Sequence, residues 1–277
     1  MRTIAVVNRK GGSGKTTTAV SVAAAFAERD LPVLLIDLDP QASATAWLGR
    51  SEDRGVLEAF TGSRDLASAA VNTRVRGLQL IPASSGLLNA ERAMKGDLGA
   101  GIVRAFERLP DSWAVVIVDC PPSMSYVAVG ALMAVREAIV PVEAHAMALP
   151  GVAAVVAEMR RLQSGLNPTL WDPLIVACRV NRTLHSRQVV AELDRRYGAL
   201  LAHATIRESI RLAEAEAARL PITAYAPASG VCLDYRLLTD EVLEREPLRA
   251  VHRRRASGWR HMFDRIPGRQ ASTRPAG

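Results

Sequence analysis

Aromatic residues are scarce, at 4% of the 277 positions. Aliphatic side chains and alanine must therefore fill the core. With 49% apolar residues there is enough for one large α/β domain, or at most two small ones. Long apolar runs are missing as well. No stretch approaches the ~18 residues of a membrane-spanning helix. The apolar start around Ile4–Val7 is too short for a secretion signal, so the expected location is the cytoplasm. Cysteine is limited to Cys120, Cys178 and Cys232, far apart and in no paired spacing, a poor framework for disulfides or zinc. Lysine is the most telling shortage. Only Lys10, Lys15 and Lys95 occur, and every other one of the 35 basic residues is arginine. Two of the three lysines lie within six residues of each other. A compact ammonium reaches into a phosphate cluster as a point charge, where a planar guanidinium fits differently.

Net charge is +7, from 35 basic and 28 acidic residues, and its placement is uneven. From Arg249 onward there are eight arginines and one acid, Asp264, so residues 247–277 carry +7. The remaining 27 basic and 27 acidic residues cancel. A neutral body with a basic tail points to a polyanion partner, nucleic acid or an anionic membrane. The expected division is a domain over 1–246 and a tail over 247–277, disordered from Pro267, where Pro, Gly, Ser and Arg dominate.

Short apolar runs alternate with helical stretches. Strands are expected at 3–8, 33–38, 78–82, 114–119, 138–142, 174–178 and 203–206, several apolar throughout, as strands buried on both faces are. Helices are expected at 15–29, 86–109, 124–134, 148–163, 186–197, 208–219 and 231–246. The alternation implies an α/β fold, a mostly parallel sheet flanked by helices on both faces. Ligands on such sheets bind beyond the carboxyl ends of the strands, so functional residues are sought there.

After the first strand comes Lys10-Gly11-Gly12-Ser13-Gly14-Lys15-Thr16-Thr17, then an alanine-rich helix. Glycines let the backbone fold around an anion with its N–H groups inward, and the helix adds the positive end of its dipole. Lys15 is placed to reach the β- and γ-phosphates of a nucleotide, and the Thr16 hydroxyl to ligate Mg²⁺. The second strand runs into Asp37-Leu38-Asp39-Pro40-Gln41, and alternate strand positions put both carboxylates on one side. A carboxylate just beyond a strand, near a phosphate loop, can hold an attacking water in line. The run Val115–Val118 ends in Asp119-Cys120-Pro121-Pro122-Ser123, an arrangement in which Asp119 holds a magnesium-bound water.

The phosphate loop departs from the common form: the usual first glycine position is Arg9, and Lys10 stands beside it. In this the chain resembles the ParA/MinD family of P-loop ATPases, and within it the Soj-like ParA partition ATPases. The D-x-D-P-Q run at 37–41 and D-C-P-P-S at 119–123 fit that family. The resemblance continues through Arg182-Thr183, Gln188-Val189-Val190, Ile206–Ala215, Pro221-Ile222 and Tyr225-Ala226-Pro227, covering about residues 2–246. It implies that Lys10 reaches across a homodimer interface to the other subunit's phosphates, as an arginine finger does, so that ATP binding and dimerisation are one event. It assigns the attacking water to Asp39, groups Thr16, Asp39 and Asp119 around magnesium, and makes Asp37 a support of that shell. Asn181 is expected at the purine edge. Ser13, where the family often has valine, is small enough for the loop. Arg207 and Arg211, four apart on an expected helix, would join Arg187 in a non-specific DNA surface.

The implied function is an ATP-dependent partition or positioning ATPase, slow alone and stimulated by a ParB-type or adaptor partner. It would be cytoplasmic and nucleoid-associated, moving a plasmid, a chromosome or a protein cargo. With the loop at residue 10, no N-terminal helix-turn-helix and no operator-binding role are expected. The alternative is a MinD-like membrane-associated ATPase, because Trp259, Met262, Phe263 and Ile266 recur at i, i+3, i+4, i+7 between arginines. Each such side chain yields ~1.5–3 kcal/mol if fully buried, against ~1–2 kcal/mol for each residue ordered. One copy would bind marginally and a dimer better. An iron–sulfur reductase of the nitrogenase iron protein type needs two closely placed cluster cysteines per subunit, and a P-loop tyrosine kinase a tyrosine-rich tail; the sequence shows neither.

Overall fold

In the computed structural model the described residues are 1–51, 56–84, 86–94 and 96–245. The basic tail, with its 259–266 pattern, and Lys95 lie outside them. Met1–Glu244 forms one compact unit. Its strands are β1 (Arg2–Val6), β2 (Val33–Asp37), β3 (Val71–Asn72), β4 (Leu78–Ile81), β5 (Val115–Asp119), β6 (Glu137–Glu143) and β7 (Leu174–Cys178). Its helices are α1 (Lys15–Ala27), α2 (Ser43–Trp47), α3 (Val56–Phe60), α4 (Gly86–Met94), α5 (Gly96–Glu107), α6 (Tyr126–Ala134), α7 (Leu149–Ser164), α8 (Leu184–Tyr197), α9 (Arg211–Ala217), α10 (Ile222–Tyr225) and α11 (Gly230–Glu244).

The strands form one sheet in the order β3-β4-β2-β5-β1-β6-β7, parallel except for β3 against β4. Every residue of β2, β5 and β7 is buried, because helices cover both faces. Alternate side chains feed two cores. Ile4, Val6, Val33 and Leu35 pack with α1 and with Tyr235 and Leu238 of α11. Ala5, Leu34 and Ile36 pack with Leu98 and Ile102 of α5, Val127 of α6 and Val152 of α7. Helices α5 and α6 approach closely at Gly99 and Gly130, where a Cβ on Gly130 would stand 2.8 Å from the Gly99 Cα. The register sets Val6 and Asp37 on either side of Asp119, so the carboxyl ends of β1, β2 and β5 finish level.

Six of the seven expected strands are present. The run 203–206 is not a strand. It follows the edge of β7 only at isolated points, with Ala202 N donating to Ile175 O and Ile206 N to Ala177 O, each at 2.8 Å. Between them the N–H groups of His203 and Ala204 turn away to the carboxylate of Glu241, at 2.9 and 3.0 Å, and this breaks the ladder. The seventh strand is the short antiparallel edge β3. The expected helix over 208–219 is shorter, and its first residue is Arg211. The expected helix over 86–109 is two, α4 and α5.

Candidate active site

The turn from β1 to α1 wraps round open space. Gly12 (φ 73°) and Gly14 (φ 88°) adopt left-handed backbone that a side chain would strain. Gly11 has no such need. A Cβ there would meet nothing within 4 Å, but it would stand in the cleft where an anion must dock. Helix α1 has no side-chain cap, so its first-turn N–H groups are left to a ligand. The Ser13 hydroxyl is buried without a partner. Lys15 is 6% exposed and its Nζ reaches the Lys10 carbonyl at 3.3 Å. Burial lowers its pKa, opposed by Asp119 and Asp39, so an anion beside it would satisfy a charge held in poor solvent.

The three acids behind the loop differ in what they already bind. Asp37 is fully buried and fully engaged. Its Oδ2 accepts from the Thr45 N–H and Thr45 hydroxyl, both at 2.8 Å, and its Oδ1 accepts from the Asp39 N–H at 3.1 Å. Burial raises its pKa to about 6 against those hydrogen bonds. Asp37 thus fixes the turn that carries Asp39. Asp39 lines the cleft, and its carboxylate accepts one hydrogen bond, from Gln41 N at 3.0 Å. Asp119 is the unusual one: both carboxylate oxygens are buried and make no well-formed hydrogen bond among the described residues, with only the Thr16 hydroxyl close enough to ease their charge. Burial, then the Asp37 carboxylate, holds its pKa well above the ordinary range. A buried acid whose nearest donor is the Thr16 hydroxyl of the phosphate loop fits a divalent cation. Thr16, Asp39 and Asp119 would hold Mg²⁺, directly or through its water. The ion when bound neutralises charge on phosphate oxygens.

Lys10 is at the rim, its side chain 41% exposed, and its Nζ pairs with Glu143 Oε2 at 3.0 Å. The other Glu143 oxygen takes Arg179 at 3.3 Å. Sequence reading passed over Glu143 and Arg179, although they end β6 and follow β7, the places where ligand residues gather on such a sheet. The cleft, about 660 Å³, runs from Gly11, Gly12 and residues 14–17 to a far wall made by residues 206–210 and Leu212. Asn181 does not line it. Its amide donates to Glu208 at 3.1 Å and its oxygen accepts from Thr183, which braces the far wall.

The arginines expected to share a helix face do not. Arg207 precedes α9, and its guanidinium forks onto Asp234 of α11, at 2.7 and 2.8 Å. Arg211 opens α9 and pairs with Glu214 at 2.8 Å. Arg187 is exposed on α8 and makes no side-chain hydrogen bond among the described residues.

Comparisons with known proteins agree with this fold. A family described as an AAA domain matches residues 1–171. The chromosome-partitioning ATPase Soj of Thermus thermophilus is 38% identical over 247 residues, spanning 88% of this chain and 96% of that protein. A solved structure described as cobyrinic acid a,c-diamide synthase from Mycobacterium smegmatis, with bound ADP and magnesium, is 32% identical. It superposes with a TM-score of 0.76, covering 88% of this chain and 94% of its own. The cell division ATPase MinD of Pyrococcus furiosus has a TM-score of 0.74 at 21% identity, covering 88% of this chain and 98% of its own, a likeness of fold.

Proposed function

Because this chain belongs to the ParA/MinD family of ATPases and is Soj-like within it, we propose that it is a partition ATPase: ATP·Mg²⁺ closes a homodimer, the dimer binds DNA without sequence preference, and a ParB-type or adaptor partner stimulates slow hydrolysis to ADP and phosphate. The observation that carries the nucleotide chemistry is the fully buried, poorly satisfied Asp119 carboxylate beside Thr16, behind an open phosphate loop and a buried Lys15. Lys15 and the loop N–H groups bind phosphate, Asp39 holds the attacking water, and Thr16 and Asp119 hold the ion. Lys10 is the dimer's residue, half-exposed at the rim and free to exchange Glu143 for a phosphate of the partner subunit's nucleotide.

Arg187 and Arg211 are the proposed DNA contacts, exposed and carried on α8 and α9. The tail, residues 247–277, adds a second basic element, and the nucleoid is the proposed location. The test compares ATP affinity, ATP-dependent dimer mass, turnover and binding to two unrelated duplexes, for the wild type and Arg187→Glu with Arg211→Glu. The reading expects weaker DNA binding with turnover retained. Nucleotide-independent DNA binding contradicts it, and flotation on anionic liposomes in place of DNA binding favours the membrane alternative.

A further inference from the structure

One carboxylate, Asp234, ties the far wall of the cleft to α11. The segment Ile206–Glu208 hangs beside β7 on three backbone hydrogen bonds: Ile206 N to Ala177 O at 2.8 Å, and Val180 N to Ile206 O and Glu208 N to Val180 O, both at 3.0 Å. Midway along it, Arg207 is tied to Asp234 three times. Its backbone N–H and its Nε both donate to Oδ2, at 3.0 and 2.7 Å, and its Nη2 donates to Oδ1 at 2.8 Å. Asp234 is 5% exposed and sits in the second turn of α11. The guanidinium lies across the start of that helix, and a Cβ on Gly230 would come within 2.8 Å of its Cζ. A side chain at Gly230 would have to push the guanidinium aside, off its fork. Helix α11 is itself anchored in the core by Tyr235 and Leu238.

We propose that Arg207 and Asp234 are a positioning pair for the nucleoside end of the bound nucleotide. The phosphate loop occupies one side of the cleft, so a nucleotide whose phosphates sit there extends its sugar and base toward Ile206–Ile210. The pair fixes that wall to α11 and so sets affinity for the nucleoside without touching the phosphates. The fork commits the Arg207 Nε and Nη2 to Asp234 within the chain. This inference rests on the cleft being the nucleotide site.

The test uses the full chain with Mg²⁺, a fluorescent ATP analogue, and competition by ATP and by inorganic tripolyphosphate, which has no nucleoside. Three variants attack the pair differently: Arg207→Lys keeps the charge but not the bidentate fork, Asp234→Asn removes the acceptor's charge, and Gly230→Ala displaces the guanidinium. Each is expected to weaken ATP by about tenfold, the scale of a lost charge-assisted pair, and to leave tripolyphosphate competition unchanged. If Asp234→Asn melts at the assay temperature, the other two variants, one largely exposed and one at a helix start, still decide the question. Wild-type ATP affinity in folded Arg207→Lys and Gly230→Ala overturns the pair's role alone. Equal losses for ATP and tripolyphosphate overturn it too, by showing a general loosening. A wild type that does not bind ATP overturns the nucleotide reading along with it.

Discussion

Two carboxylates that look alike in the sequence, Asp37 and Asp39, have different work, and the hydrogen bonds say which. Asp37 spends its oxygens on Thr45 and the Asp39 N–H, while Asp39 keeps one oxygen for the cleft. Asp39→Ala should therefore retain ATP binding and ATP-dependent dimer mass but lose turnover, whereas Lys15→Ala should lose nucleotide binding itself. Isothermal titration and a phosphate-release assay on both variants separate the two roles. Normal turnover in Asp39→Ala would remove the water-holding role. Thr45 is the hidden partner. Its hydroxyl donates to Asp37 and accepts from the Ala83 N–H at 3.0 Å, so Thr45→Val leaves two buried groups short of a partner. A loss of about 1–3 kcal/mol in urea unfolding is expected. The phosphate loop, the acid pair and Asp119 were legible because a motif states residue type and spacing together. Glu143, Arg179 and Thr45 were not, since each meets its partner only after folding has brought distant strands and turns side by side. Asn181 and Arg207 likewise have partners that local sequence does not announce. Both lie near the cleft in the chain order, and only the folded partners, Glu208 and Asp234, show where their side chains are committed.

At the scale of elements, the parallel strands were legible because burial on both faces writes an unbroken apolar run. The run 203–206 has strand-like length and composition but sits beside the last strand, where Glu241 competes for its N–H groups. Local sequence does not reveal a competitor thirty-odd residues away on α11. The two-residue strand β3 and the short helices α2, α3 and α10 carry too few residues to establish a period. The α5–α6 crossing gives the element-scale prediction. Gly130→Ala sets a methyl 2.8 Å from the Gly99 Cα and 2.9 Å from the Ile102 Cδ1, so the helices must part. Thermal and urea unfolding should show a loss of about 1–3 kcal/mol, the usual cost of overpacking, with ATP affinity retained in the folded fraction. Unchanged stability would mean that the two helices slide apart freely.

For the whole molecule, the division of charge is the governing feature: an electrically neutral body up to residue 246 and +7 beyond it. Every residue assigned here to nucleotide chemistry lies in the body, so truncation after Glu246 should leave basal ATP turnover unchanged while weakening retention on DNA. Turnover assays and DNA anisotropy on the truncated chain check both halves of that expectation, and lost turnover in a folded truncation would tie the tail to the active site. The central claim is that ATP switches the chain between a free state and a DNA-bound dimer. Anisotropy of two unrelated fluorescent duplexes, titrated with the wild type in ATP, in ADP and without nucleotide, across a salt series, tests it most directly. The account predicts binding with ATP·Mg²⁺ alone, equal for both duplexes and falling steeply as salt rises, because several phosphates are contacted at once. Equal binding in all three nucleotide conditions, or none in any, would contradict it.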